Sequence, residues 1–349
     1  LKESEFMSAL PSNSPAFASV RDVMSFFPEG RLTNEDISAQ FPDWTADKIY
    51  EKTGFRSRNI AASDETASDL AYGAAVKLLA AHPGLADQID LLVFCTQSPD
   101  YVLPTSACVL QDRLGLATTC AAFDFNLGCS GYVYGLSIVK SMIESGQATK
   151  ALFLKGETYS KWMGPTARSV MTIFGDAGTA TLVEACQAEA QKIGPFVYGT
   201  DGRGKNDLIV HGSATRPLDS DAQSDSLPPE GNLPDRLYMD GPEIFSFTIR
   251  SVPKAVQALL TKSEMTYDDL DWVIFHQANK FMLDHLRRQC HIPEEKFVFA
   301  MENYGNTVSN TIPVVLVDML AAGTLQRGQK LMLVGFGVGY SWSACILEW

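Results

Sequence analysis

Asn126-Leu127-Gly128-Cys129-Ser130-Gly131 sets a thiol between two glycines, after the apolar run AAFDF and before the helical pattern YVYGLSIVKSMIESG. A strand, a tight turn and a helix that starts at a cysteine is a layout suited to nucleophilic chemistry. The free N–H groups and positive dipole end of a helix favour thiolate over thiol. The flanking glycines let backbone approach a substrate closely. A packed cysteine in a glycine turn fits the segment equally well, so its partners must decide. Three other segments offer partners. Phe275-His276-Gln277-Ala278-Asn279 puts an imidazole at the C-terminal end of an apolar strand, where open α/β sheets place ligands. Glu302-Asn303-Tyr304-Gly305-Asn306-Thr307-Val308-Ser309-Asn310 is an Asn-rich turn, in which Asn303 and Asn310 read as turn and cap residues. Gly335-Phe336-Gly337-Val338-Gly339-Tyr340-Ser341-Trp342 alternates glycine between two strands. It is either an ordinary hairpin or a way to present a backbone N–H to an oxyanion.

Regular α/β structure must position these segments. Apolar runs predict strands at 90–96, 121–125, 150–156, 178–185, 271–276 and 329–335. Runs this apolar suit strands covered on both faces. Helices are expected at 66–81, 104–114, 130–146, 241–261 and 307–322, with Pro104 in the first turn of its helix. Residues 201–236, rich in Asp, Ser, Pro and Gly, read as a long surface excursion. IDLLVFCTQS (89–98) is echoed by LDWVIFHQAN (270–279). The echo suggests two halves of similar architecture, 1–186 and 187–349.

Composition narrows the classes. At 349 residues the chain suits two packed halves rather than one small core. Its seven cysteines are odd in number and none pairs at CxxC spacing, so neither a disulfide framework nor a metal site is expected. A net charge of −13 leaves no basic footprint for nucleic acid. No apolar run is long enough for a bilayer, so no membrane partner is expected. Leu1 to Ser14 lacks the basic start and apolar stretch of a signal peptide, which makes the cytoplasm the expected location.

Cys129, then HQAN, then N-x-GNT, then FGxG, in that order, resembles the β-ketoacyl-acyl-carrier-protein synthase III family of the thiolase superfamily. KTGFRSRNIA (52–61), ETASDLA (65–71), LPTSA (103–107) and FGDAG (174–178) extend the similarity from about Thr33 to the C-terminus. The resemblance implies an α/β thiolase-like fold of two αβαβα halves in five layers. It implies a homodimeric condensing enzyme of fatty-acid biosynthesis that uses acyl-CoA and a malonyl-acyl carrier protein as substrates, with no other cofactor. The family's nucleophile falls on Cys129, its histidine on His276 and its asparagine on Asn306. The backbone N–H groups of Cys129 and Val338 would hold the oxyanion. Asn279 would organise a water near His276, and Phe336 would shield the thiol.

Three departures qualify this. Lys48 stands where the family often has a tryptophan that stacks on the CoA adenine, with Trp44 one turn away; Lys52 and Arg168 match basic positions near CoA. Leu103 replaces a frequent phenylalanine that reaches across the dimer to close the partner's acyl pocket, so a primer longer than acetyl is expected. Val338 replaces a common glycine, which a role for its N–H tolerates. Lys280, Arg287 and Arg288 are the expected carrier contacts, with a plain solvated helix face as the alternative. The rival readings are a same-fold acyltransferase to a hydroxyl or amine, and a non-catalytic subunit of a heterodimeric synthase. A hydroxymethylglutaryl-CoA synthase would require a general acid, for which Glu157 is a distant match.

Overall fold

The computed structural model describes residues 16–215 and 236–349. Leu91–Cys95 is an interior strand of a five-stranded sheet, and all five of its residues are buried. It runs parallel to Ala121–Phe125 on one side and to Lys150–Glu157 on the other. Ala177–Gln187 and then Ala16–Phe26 complete the sheet, each antiparallel to its neighbour. The second sheet repeats this succession. Trp272–Phe275 runs parallel to Lys330–Gly337, with Ser341–Glu348 and then Ile193–Thr200 antiparallel beyond. Val273 also forms a parallel bridge to Phe297, on the side where Leu91–Cys95 has its second parallel partner. The echo between 89–98 and 270–279 therefore marks equivalent strands of two sheets.

Two helices lie between the sheets. Gly131–Glu144 contributes Tyr132, Val133, Leu136 and Val139, and Thr311–Ala321 contributes Ile312, Val315 and Leu316, to one core shared by both sheets. The helix is drawn tightly onto the first sheet at Gly135, where a Cβ would sit 2.0 Å from Cζ of Phe153. Ala67–Ala81 and Ser106–Arg113 cover the outer face of the first sheet. Gly241–Ser263 and Lys280–Gln289 cover that of the second. The order is α, β, α, β, α. Thr66 opens its helix with a capping box to Asp69, satisfying two orphan donors at once.

Several expectations need correction. Pro104 is not in the first turn of its helix, which begins at Ser106. The start is fixed there because the Asp124 carboxylate accepts the N–H groups of Ser106 and Ala107, each at 2.7 Å. The helix expected from 307 begins at Thr311, after a 3₁₀ turn over Val308–Asn310. The strands Ala16–Phe26 and Ile193–Thr200 were not expected, because AFASVRDVMSF and IGPFVYGT interleave polar residues, Gly and Pro. Of the expected excursion, 216–235 lies outside the described residues. Its flanks are not simply surface chain: Leu208–Val210 pairs antiparallel with Leu237–Met239. No helix among the described residues is long and apolar enough to cross a membrane.

Candidate active site

Cys129 sits immediately before the central helix of the first half and is 5% exposed. The strand Lys330–Gly337 passes directly against it. A Cβ on Gly337 would lie 2.9 Å from Cys129 Sγ, and a Cβ on Gly335 would lie 2.8 Å from Cα of Ser130. The alternating glycines therefore form a hairpin that also lets backbone meet the thiol. Ser130 and Ser341 join their hydroxyls at 2.6 Å, and Ser343 donates to the Ser130 carbonyl at 3.1 Å. These bonds pin the cysteine loop to the hairpin. Val338 packs in the same apolar cluster as Cys129.

His276 follows the strand Trp272–Phe275 and is buried. Its Nδ1 lies 2.7 Å from Thr311 Oγ1. Burial lowers its pKa to about 3, so the imidazole is neutral at physiological pH. Phe336 stands edge-on to the imidazole, with ring centroids 5.5 Å apart. Asn306 is held by its backbone: its N–H donates to Ile173 and its carbonyl accepts from Gly175, at 2.8 and 3.0 Å. This ties GNT to the FGDAG segment. Its Oδ1 accepts the Val308 N–H at 2.9 Å, which turns Nδ2 to within 3.5 Å of His276 Nε2. Val308 makes that contact from φ +56°, a costly conformation for a β-branched residue.

These residues meet in one cavity of about 80 Å³. Cys129, His276, Asn306, Asn279, Phe336 and Gly337 line it, together with Ile173, Phe174, Leu208, Gly241, Met239, Ile244, Thr248, Ala278 and Met282. Sequence reasoning gave no role to Leu208, Met239, Ile244 or Thr248. Leu208 lies within the polar excursion and Met239 just after it, and no local pattern marks them. Leu103 does not line this cavity. It is 80% exposed, beside Val102 at 84%, so one chain alone does not bring it to the acyl site. The Asn279 oxygen is committed to capping the helix Lys280–Gln289 by accepting the Met282 N–H at 2.9 Å. Only its amide nitrogen remains for the expected organising of water.

Electrostatics correct one expectation. The helix start does not yield a resting thiolate. Burial, with the Glu157 charge adding to it, pushes the Cys129 thiol up to about 12. Glu157 does not line the cavity. It lies in the interior, where both oxygens accept the Gln97 N–H at 3.2 Å and where the Ser98 and Ser309 hydroxyls donate to it. Burial raises its pKa to about 8, against the pull of Lys155. Lys155 is itself fully buried and is lowered by burial. Its Nζ and the Cys95 Sγ would lie 3.2 and 2.6 Å from a Cβ on Gly131, which is why that position takes glycine.

The expected CoA-contacting cations converge. Arg168 and Lys52 each lie 4.7 Å from the Trp44 ring centroid and Lys48 lies 5.7 Å from it. Lys280 packs its stem against Gly54, where a Cβ would sit 2.8 Å from its own. The KTG turn thus adjoins the helix that follows HQAN. Arg287 is engaged with Glu294 at 3.2 Å, whereas Arg288 is exposed.

The comparisons agree with this geometry. Family models described as "3-Oxoacyl-[acyl-carrier-protein (ACP)] synthase III" and its C-terminal part match residues 123–202 and 260–349. A beta-ketoacyl-[acyl-carrier-protein] synthase III 2 of Halalkalibacterium halodurans is 34% identical over 332 residues, covering 95% of this chain and 96% of that protein. The chain belongs to the 3-oxoacyl-[acyl-carrier-protein] synthase III family. A crystal structure of a 3-oxoacyl-(acyl-carrier-protein) synthase III superposes with a TM-score of 0.91 at 50% identity, covering 95% of this chain and 100% of that one. A 3-oxoacyl-(acyl-carrier protein) synthase from Burkholderia xenovorans LB400 gives 0.89 at 37% identity, covering 95% and 93%. As a synthase III family member, the protein is a condensing enzyme of thiolase-like fold, with the repeated sheets that fold requires.

Proposed function

We propose that the enzyme loads an acyl group from acyl-CoA onto Cys129 and condenses it with a malonyl-acyl carrier protein, releasing carbon dioxide, in fatty-acid or related acyl-chain synthesis. The observation that carries this reading is the meeting of Cys129 with His276 and Asn306 in one buried cavity. In loading, the Cys129 sulfur attacks the thioester carbonyl, CoA leaves as its thiol, and the Cys129 proton goes to it. The extender thioester then replaces CoA. Its carbonyl oxygen takes hydrogen bonds from His276 Nε2–H and Asn306 Nδ2. This role requires the proton of the neutral imidazole on Nε2, with Nδ1, 2.7 Å from Thr311 Oγ1, as the acceptor end of the ring. The electron pair of the breaking C–CO₂ bond moves into that carbonyl, and the resulting enolate attacks the acyl group. The backbone N–H groups of Cys129 and Val338 hold the tetrahedral oxyanion until the Cys129 thiolate leaves and takes up a proton from solvent, which restores the thiol. This acyl transfer needs no cofactor beyond its substrates.

Trp44 supports adenine stacking from a shifted position, with Arg168, Lys48 and Lys52 around it for the CoA phosphates. Lys280 and Arg288 are the carrier contacts we favour; Arg287, paired with Glu294, is the weaker one. The enzyme works as a cytoplasmic homodimer, with the exposed Leu103 segment reaching into the partner's acyl site. Leu103, smaller than phenylalanine, admits primers longer than acetyl. The test supplies a panel of acyl-CoAs and then malonyl-carrier. The expected product is two carbons longer, with one carbon dioxide released per turnover. Acyl transfer to a hydroxyl or amine without carbon dioxide would overturn the reading, and a strict acetyl preference would overturn the primer assignment.

A further inference from the structure

Thr248 lies on the helix Gly241–Ser263, on the wall of the cavity that holds Cys129, His276 and Asn306. Its side chain is fully buried, and its Oγ1 has no hydrogen-bond partner among the described residues. Buried hydroxyls are normally satisfied, and leaving one unmet is unfavourable. A helical threonine has an easy remedy, which is to donate to the carbonyl one turn back. Thr53 does so to Ile49 at 2.8 Å, and on the same helix as Thr248, Thr261 does so to Gln257 at 2.9 Å. Thr248 does not. The cavity wall also carries Ile244, Met282 and Phe336, whose side chains offer no polar partner.

We propose that Thr248 is a substrate-binding residue whose hydroxyl donates to the carboxylate of the extender thioester. This rests on the condensation reading above. Two thioesters enter the cavity in turn. The primer brings one polar group, its carbonyl. The extender brings that carbonyl, met by His276 and Asn306, and in addition a charged acceptor that needs a donor of its own. A neutral hydroxyl suits this task. It orients the carboxylate without neutralising it, and it lets go when the electron pair of the C–CO₂ bond moves to the carbonyl and the group departs as uncharged carbon dioxide. Thr248 therefore discriminates between the half-reactions: it is unmet while primer is bound and satisfied when extender is bound.

The test uses the full-length enzyme and Thr248→Val, which keeps the shape and removes the hydroxyl, with Thr248→Ala as a second removal and Thr248→Ser as the rescue. Loading is followed as mass on Cys129 with acyl-CoA, and condensation as KM for malonyl-carrier. Thr248→Val is expected to melt at or above wild type, to load at the wild-type rate, and to raise that KM by about tenfold or more. Thr248→Ser is expected to restore it to within about threefold. Equal losses in both half-reactions would place Thr248 against the arm common to both thioesters and overturn the proposal, as would an unchanged KM. If Thr248→Val fails to fold, Thr248→Ala supplies the same readout. Wild-type enzyme that loads Cys129 but releases no carbon dioxide would refute the condensation reading itself, whereas normal wild-type condensation with an indifferent Thr248→Val refutes only the Thr248 assignment.

Discussion

Nδ2 of Asn306 lies 3.5 Å from Nε2 of His276, while Oδ1 of the same amide is held by the Val308 N–H and Nδ1 of the same imidazole by Thr311. Each side chain has one polar atom anchored and one turned to the cavity. An amide nitrogen and an imidazole nitrogen held this close together are suited to an oxygen that gains charge as reaction proceeds. Replacing His276 or Asn306 by alanine is therefore predicted to lower condensation by about 10²–10³-fold. Loading of Cys129, followed by mass, should change far less. Equal losses in both half-reactions would show that the pair serves binding rather than the enolate.

Thr311 is a positioning residue and touches no substrate in this account. Thr311→Val should lower kcat for condensation by about tenfold while leaving KM for malonyl-carrier near the wild-type value. Thr311→Ser should recover most of the loss. A fall in stability with no change in kcat would reduce Thr311 to a packing role.

The His276 pKa, lowered to about 3, has two consequences. The imidazole stays neutral through the physiological range, so no acid limb from His276 is expected in the condensation rate between about pH 5 and about pH 8. An inflection near the ordinary histidine pKa that disappears in His276→Asn would contradict this. For stability, a depressed histidine contributes fully above its unfolded value and is lost as pH falls below about 6.5 toward about 3.

Glu157 has the opposite sign. Its folded pKa, raised to about 8, lies above the unfolded one. The folded state keeps a proton that the unfolded chain has released, so this contribution is present below about 4.5 and is lost as pH rises toward about 8. Glu157→Gln mimics the protonated form. Urea unfolding should show it gaining stability relative to wild type as pH rises across that window. A constant difference would mean that Lys155 holds Glu157 ionised throughout.

Gly337→Ala tests the contact between hairpin and nucleophile. The added Cβ would sit 2.9 Å from Cys129 Sγ, so either strand or thiol must shift. A misplacement of this kind is predicted to cost about 10²-fold in loading, with little change in melting temperature. Wild-type loading would mean that the hairpin yields freely.

Much of this was legible because the chemistry sits at ends of strongly patterned elements. Leu91–Cys95 and Trp272–Phe275 are apolar throughout; His276 follows directly from the second of these, and Cys129 follows Ala121–Phe125 across the turn 126–128. The ionisation of Cys129 was not legible. The helix start argued for thiolate, but burial, a property of the assembled halves, outweighs it. Leu208, Met239 and Thr248 reach the cavity only through tertiary packing, and no local period distinguishes them. Trp44 shows the reverse case. Its displacement from the position of Lys48 was visible in the sequence, but its place under Arg168, 124 residues away, required the fold.

The most direct measurement is the mass of the Cys129 peptide after a pulse of acyl-CoA and again after a chase with malonyl-carrier. The expected result is an acyl adduct on Cys129 alone, discharged in step with carbon dioxide release into a product two carbons longer. An adduct that is absent, that lies on another cysteine, or that discharges without carbon dioxide would contradict it.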